Sequence, residues 1–387
     1  MALATIDTLD TFEFDTSHGS SPTVAHVGGN IYAIAYCGAD NDGWLVTVEI
    51  DSKGNIAEPV VDSFEFDTSS GWAPHILHIS GDIYAIAYYK GGSGAWVITV
   101  DIDSAGSITK STIDGLQLYS GVGDTNMRAD IIHVFGDIYA ILSTDAAGTG
   151  SMVYTVDIDS AGNIADTVID TYRYKYSYLY LYLYPEIVKV FGTTYAIVYG
   201  DWPNSGTWLR TLTIANDGTM AADPTISTLE FDAYGAPYGV SIVHVTGDTY
   251  AVAYHGVDGD GWLATFTIDS GGSITAVDTL EFDEVTGTWP HIIQLSERLY
   301  AIAYSGSGQD GYLKTVIIEA DGTIGSVTQS FRFTGLCDTK PWVFVITSSI
   351  VAIAYAGYGY DGYLETIGRL PAALVISRAF ALAREEL

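Results

Sequence analysis

The segment "IYAIAYCGADNDGWLVTVEIDSKGNI", residues 31–56, returns along the chain with its grammar intact. Variants read "IYAIAYYKGGSGAWVITVDIDSAGSI" (83–108), "IYAILSTDAAGTGSMVYTVDIDSAGNI" (138–164), "TYAIVYGDWPNSGTWLRTLTIANDGTM" (194–220), "TYAVAYHGVDGDGWLATFTIDSGGSI" (249–274) and "LYAIAYSGSGQDGYLKTVIIEADGTI" (299–324). A shorter copy, "IVAIAYAGYGYDGYLETIGRL", occupies 350–370. The first aromatic recurs at Tyr32, Tyr84, Tyr139, Tyr195, Tyr250 and Tyr300, with Val351 in the last copy, at intervals of 50–56 residues. Such a period is the mark of a repeat architecture.

Each unit holds four short alternating segments, called A to D in chain order. In unit two they are "PHILHIS", "IYAIAYY", "AWVITVDID" and "SITKSTIDGLQL". Short glycine turns join A to B and C to D, as tight antiparallel hairpins require. In segment B, Tyr84, Ile86 and Tyr88 share one face, and Ala85 and Ala87 the other, so stacked sheets can interdigitate large side chains against small. Four-stranded units at this period predict a β-propeller. Unit seven stops after its C segment near Ile367, and the segment it lacks stands at the N-terminus as "IDTLDTFEFD", 6–15. Pairing the first strand with the last unit removes two free sheet edges. The expected fold is all-β: a seven-bladed propeller of four-stranded antiparallel blades over residues 1–368, closed by an N-terminal strand. A C-terminal tail, 369–387, follows. In it Ile376, Phe380, Ala383 and Leu387 share one helical face, which predicts a short amphipathic helix that docks on the propeller or mediates self-association.

With these repeats the chain resembles seven-bladed propellers closed by an N-terminal outer strand, as in WD40-type proteins. It carries no Trp-Asp or Gly-His signature and no kelch double glycine. Its YAIAYxGxDxDGWLxT repeat is similar to that of uncharacterised prokaryotic and viral propeller proteins. The resemblance covers residues 1–367 and implies the fold. It implies no particular chemistry, because propellers host many functions.

Composition narrows the partners. The 387 residues carry 47 Asp and Glu against 15 Lys and Arg, a formal charge of −32. Nucleic acid and anionic membrane both need a basic footprint, so neither is expected. Residues 1–14 read as a strand, without the basic and apolar regions of a signal peptide, and no apolar run is long enough for a membrane-spanning helix. The two cysteines, Cys37 and Cys337, exclude a disulfide framework and are expected to be free thiols.

Alternating strands place the D–A and B–C loops on one face and the A–B and C–D turns on the other. The second face is monotonous, and the variation falls on the first, where function is usually built. In "YRYKYSYLYLYLYP", 172–185, Tyr172 and Tyr174 align with the D-strand "FEFD", and the remaining tyrosines fall in the D–A loop. That loop and its neighbour "SGVGDTNMR" (120–128) are longer than the usual six residues, and blades 2 to 4 also depart from the B–C consensus. A binding site is therefore expected in this sector, from Tyr176, Tyr178, Tyr180, Tyr182, Tyr184, Asp124, Arg128 and Trp202. Aromatics beside a few polar groups suit stacking on a sugar ring or anchoring a protein.

A second candidate is the ring at the start of strand A: Thr23, His75, Asp130, Glu186, Ser241, His291 and Trp342. Of these, His75, Asp130, Glu186 and His291 are the expected ligand-binding members, against the alternative of solvated channel residues. Three residues on, His26, His78, His133, Lys189, His244, Gln294 and Val345 recur so regularly that buried hydrogen bonds between blades are expected of them. The "DNDG" and "DGDG" loops raise calcium, but they lack the distal glutamate of an EF-hand, and Asp-Gly is a common tight turn. No cofactor is expected, with calcium as the alternative. No GxSxG, HExxH or phosphate-loop motif is present, and no catalytic residue is assigned. The leading expectation is a non-catalytic binding propeller for a carbohydrate or a protein, in an extracellular, cell-surface or virion context. The alternatives are a carbohydrate-active hydrolase or lyase using the central polar ring, and a structural component of an assembly.

Overall fold

The computed structural model describes residues 6–119, 129–145, 150–175, 184–201, 206–233 and 238–370. The expected site residues Asp124, Arg128, Tyr176, Tyr178, Tyr180, Tyr182 and Trp202 and the tail beyond Leu370 lie outside them. Seven four-stranded antiparallel sheets form the blades of a β-propeller. Blade 1 comprises strands A (Ser20–Gly28), B (Ile31–Cys37), C (Gly43–Glu49) and D (Asp62–Asp67). Blade 7 takes Trp342–Thr347, Ile350–Ala356 and Gly362–Gly368 from the C-terminal side, and Asp7–Asp15 as its outer strand. The pairing runs from Asp7 opposite Gly368 to Asp15 opposite Gly362, so the displaced strand closes the ring. No helix among the described residues is long and apolar enough to cross a membrane.

The large-against-small reading of strand B describes the packing between blades. Tyr84, Ile86 and Tyr88 of blade 2 bury against Ala33 and Ala35 of blade 1. On the opposite face, Ala85 and Ala87 receive Tyr139 and Ile141 of blade 3.

Polar positions of the repeat tie neighbours together in one rotational sense. A C-strand threonine of each donor blade gives its hydroxyl hydrogen to a C–D turn carbonyl in the next: Thr47 to Gly106 (2.6 Å), Thr99 to Gly162 (2.6 Å) and Thr155 to Gly218 (2.7 Å). The series continues through Thr211 and Thr265, and Thr366 of blade 7 reaches Gly54 of blade 1 at 2.6 Å. The glycine at this turn is required, since Gly54 sits at φ +87°, where a Cβ is strained. An outer series uses D-strand aspartates: Asp10, Asp62, Asp114, Asp170 and Asp278 accept the backbone N–H of Ile56, Ile108, Ile164, Met220 and Ile324 in the following blade. Each neutral bond is worth about 0.5–1.5 kcal/mol net, and the seam between blades 7 and 1 is made with the same two bonds as the seams between blades 1 and 2, 2 and 3, 3 and 4, and 5 and 6.

Blade 7 carries a carboxyl at a buried position of its C strand. Where blades 1 and 2 place Val46 and Ile98, it has Glu365. Glu365 is 2% exposed and accepts from the hydroxyls of Thr8 (2.5 Å) and Tyr355 (3.4 Å). Burial pushes its carboxyl up to about 7 from 4.5, with the two hydroxyls acting in the opposite direction. A carboxyl raised in the folded state penalises folding only when ionised. The penalty is absent below the unfolded value, grows as pH passes through 4.5 to 7, and is complete above. Glu365→Gln should therefore match the parent below about pH 4.5 and exceed it by about 2–3 kcal/mol near pH 8.5. Paired urea melts at the two pH values check this, and equal stability at the higher pH would refute it.

Candidate functional site

D–A and B–C loops share a face. The Gly71 N–H donates to the Asn41 carbonyl at 2.7 Å, and Gly19, Gly287 and Cys337 make the same bond to Tyr360, Gly259 and Gln309. Asp-Gly turns allow this close approach. A Cβ on Gly71 would stand 2.2 Å from the Gly43 Cα. Among the described residues no group of three or more His, Cys, Asp or Glu is placed to hold a metal ion. The aromatic after each turn covers a glycine of its own B–C loop, Trp44 over Gly38 and Trp262 over Gly256. Both cysteines are buried and free, and burial pushes the Cys37 thiol up to about 12.

At the mouth of the central channel on this face, the ring read from the start of strand A is assembled. Two residues earlier the chain is bulged, with Ser21, Ala73 and Trp289 at φ +50°, +43° and +51° and Gly239 at +93°. Left-handed backbone at non-glycine positions costs about 1–3 kcal/mol each. Five ring side chains reach the inner strand of the next blade and accept the N–H of the residue after that blade's own ring position. Thr23 accepts from Ile76 (3.2 Å), Asp130 from Ile187 (2.9 Å), Glu186 from Ile242 (2.9 Å), Ser241 from Ile292 (3.3 Å) and His291 from Val343 (3.1 Å). An inner strand is a sheet edge with unpaired N–H groups, and the ring supplies their acceptors. Trp342 ends the series, because an indole can donate but not accept.

The ring lines a cavity of about 240 Å³, together with Pro185. Nδ1 of His75 lies 2.5 Å from Oδ1 of Asp130 and 3.3 Å from the Ile131 nitrogen. The two contacts compete for one ring nitrogen. The shorter, to a carboxylate, is the stronger, so we assign the proton to Nδ1, donated to Asp130. Trp342 stacks on His291, with centroids 4.2 Å apart and planes at 23°, and meets His75 at 5.3 Å. In a ring of seven, blade 7 with Trp342 faces blades 3 and 4 with Asp130 and Glu186.

One participant escaped the sequence reading. Lys340, in the loop entering blade 7, is fully buried. Its ammonium pairs with Oε1 of Glu186 in blade 4 and donates to the Val240 carbonyl of blade 5 at 3.0 Å. The only signal was a cation two residues before the ring position, which blade 3 shares in Arg128 while the other blades carry Ser21, Ala73, Tyr184, Gly239 and Trp289.

Of the loop-sector residues only Tyr184 is described. It is half-buried and precedes Pro185 of the cavity wall. Tyr172 and Tyr174 are D-strand residues as read: Tyr172 pairs with Val153, and Tyr174 is buried. The second ring needs correcting. His26, His78, His133 and His244 are exposed, and each bonds through Nε2 to a glycine carbonyl of its own hairpin turn (Gly29, Gly81, Gly136, Gly247) at 2.8–3.0 Å. Each ring also packs on the neighbouring tyrosine. Their recurrence reflects hairpin capping within a blade; only Lys189 and Gln294 reach across, to Val134 and Val245.

No family model matches this sequence, and no curated protein does. Solved structures are similar in fold. The BP39L lectin from Burkholderia pseudomallei superposes with a TM-score of 0.64 at 11% identity, over 91% of this chain and 97% of that one. The periplasmic gluconolactonase of Pseudomonas aeruginosa gives 0.59 at 14%, over 79% and 83%. Sqt1 from Chaetomium thermophilum gives 0.57 at 10%, over 94% and 98%. At such identities the likeness is one of fold alone.

Proposed function

We propose that this chain is a binding propeller that takes a single sugar-sized, hydroxyl-rich ligand at the loop-face mouth of its central channel. The observation that carries the reading is the cavity itself: its lining combines an indole stacked on His291 with two carboxylates that backbone N–H groups already hold in place. Preorganised acceptors opposite an aromatic face suit a sugar ring. At about 240 Å³ the cavity is smaller than the roughly 300–1,000 Å³ of most ligand pockets, which favours one ring over an oligosaccharide. Tyr176, Tyr178, Tyr180, Tyr182, Tyr184, Asp124, Arg128 and Trp202 are proposed to extend the contact surface outward, in an extracellular, cell-surface or virion setting. That a lectin and a gluconolactonase share the architecture supports a saccharide by analogy of fold only.

A glycan array read alongside hydrolysis assays on the same compounds tests the proposal. Binding without turnover, weakened at least tenfold by Trp342→Ala in a protein that still melts cooperatively, is the expected result. No binding to any saccharide would overturn it. The 2.5 Å contact between His75 and Asp130 favours one second reading, a hydrolase. In it Nε2 takes a proton from water as the water oxygen attacks an ester or lactone carbonyl. Turnover abolished by His75→Gln would establish that reading instead.

A further inference from the structure

We infer that the ligand of this cavity carries a protonated amine, so that within the saccharide reading, on which this rests, it is an amino sugar and not a neutral one. Asp130 and Glu186 both line the cavity. Among the described residues the one full cation paired with them, Lys340, is wholly buried, forms no part of the lining and is committed to Glu186 and the Val240 carbonyl. Two carboxylates therefore stand at the wall against one buried ammonium. The same cavity is lined from blade 7, opposite blades 3 and 4 in the ring, by the indole of Trp342, held by its stack on His291. A cation between an indole face and carboxylates is attracted from both sides, because the ring quadrupole and the carboxylates favour the same sign. A neutral hydroxyl in that place uses the carboxylates as acceptors but gains nothing from the excess charge.

The long-range field has the same sense. A formal charge of −32 raises the local concentration of cations and repels anionic sugars. The anchoring of Asp130 and Glu186 by the N–H groups of Ile187 and Ile242 keeps both carboxylates in position before a ligand arrives.

The test is calorimetric titration of the full chain with the free amine, N-acetyl and parent forms of glucose, galactose and mannose. The expected result is that one amine form binds at least about tenfold tighter than its N-acetyl and parent counterparts, and that added salt erodes the difference. Trp342→Ala and Asp130→Asn, each confirmed folded by a cooperative melt, should remove the preference; Asn still offers an oxygen to the Ile187 N–H. Equal or tighter binding of the neutral forms overturns the amine assignment and leaves the saccharide reading standing. Absence of binding by all nine sugars overturns both. An amine preference that survives both substitutions places the ligand elsewhere and also overturns the inference.

Discussion

A chain lacking residues 1–15 should fail to form a soluble, cooperatively melting monomer. The deletion removes the whole outer strand of blade 7. Ile6 and Phe14 are buried in the intact protein, and Phe14 packs directly over Gly362. Burying a large apolar side chain contributes about 1.5–3 kcal/mol, and Phe12 is lost from the core that Phe14 joins. Polar partners go too. Tyr36 donates to Asp15 at 2.9 Å, the Ile56 N–H to Asp10 at 2.8 Å, and Thr8 to Glu365. Against a net stability of roughly 5–15 kcal/mol for a folded domain, these losses consume most or all of the margin. The Gly362–Gly368 strand, now an edge, is open to pairing between chains. Size-exclusion chromatography and a thermal melt provide the check, and a peptide of residues 1–19 added in trans should rescue solubility. A truncated protein that stays monomeric and melts like the parent would show that the seam needs no strand.

Lys340→Ala should destabilise the protein by about 3 kcal/mol, the cost of leaving a largely buried carboxylate without its cation. The affected residue is Glu186, whose Oε1 faces the ammonium while Oε2 holds the Ile242 N–H. Replacing both members, Lys340→Met with Glu186→Gln, should recover most of the loss, because a neutral pair needs no mutual compensation for desolvation. Gln keeps an oxygen for Ile242. Urea denaturation of the four proteins in this cycle gives the coupling directly. A Lys340→Ala loss within about 0.5 kcal/mol, the range of ordinary surface changes, would show that the link across the mouth contributes nothing.

The reading of the tyrosine-rich segment shows where sequence sufficed and where it did not. Tyr172 and Tyr174 were placed on a D strand by alignment with six other units, and strand pairing is local enough for that to hold. The His26 series was legible as recurrent but misread as buried. A residue that caps its own hairpin and one that bonds the next blade recur at the same period, and nothing in the periodicity separates them. The ring at the start of strand A was legible as a set, since equivalent positions must converge on the axis of a closed propeller. That five of its members accept backbone N–H groups from the next blade was not, because it depends on how the side chains reach across to the neighbouring inner strand.

What the sequence determined alone was therefore everything that repeats: the blade, the number seven, the closing strand and the face carrying the variable loops. Each of these rests on contacts within a unit or between consecutive units, and a period of 50–56 residues records such contacts directly. Tertiary structure decided what happens across the axis. Lys340 meets Glu186 over a separation of 154 residues, and Trp342 faces Asp130 only because seven blades of equal width bring blade 7 opposite blades 3 and 4. A contact of that kind belongs to no repeat and leaves no periodic trace. It comes into being when the ring closes, and the cavity it borders arises with it.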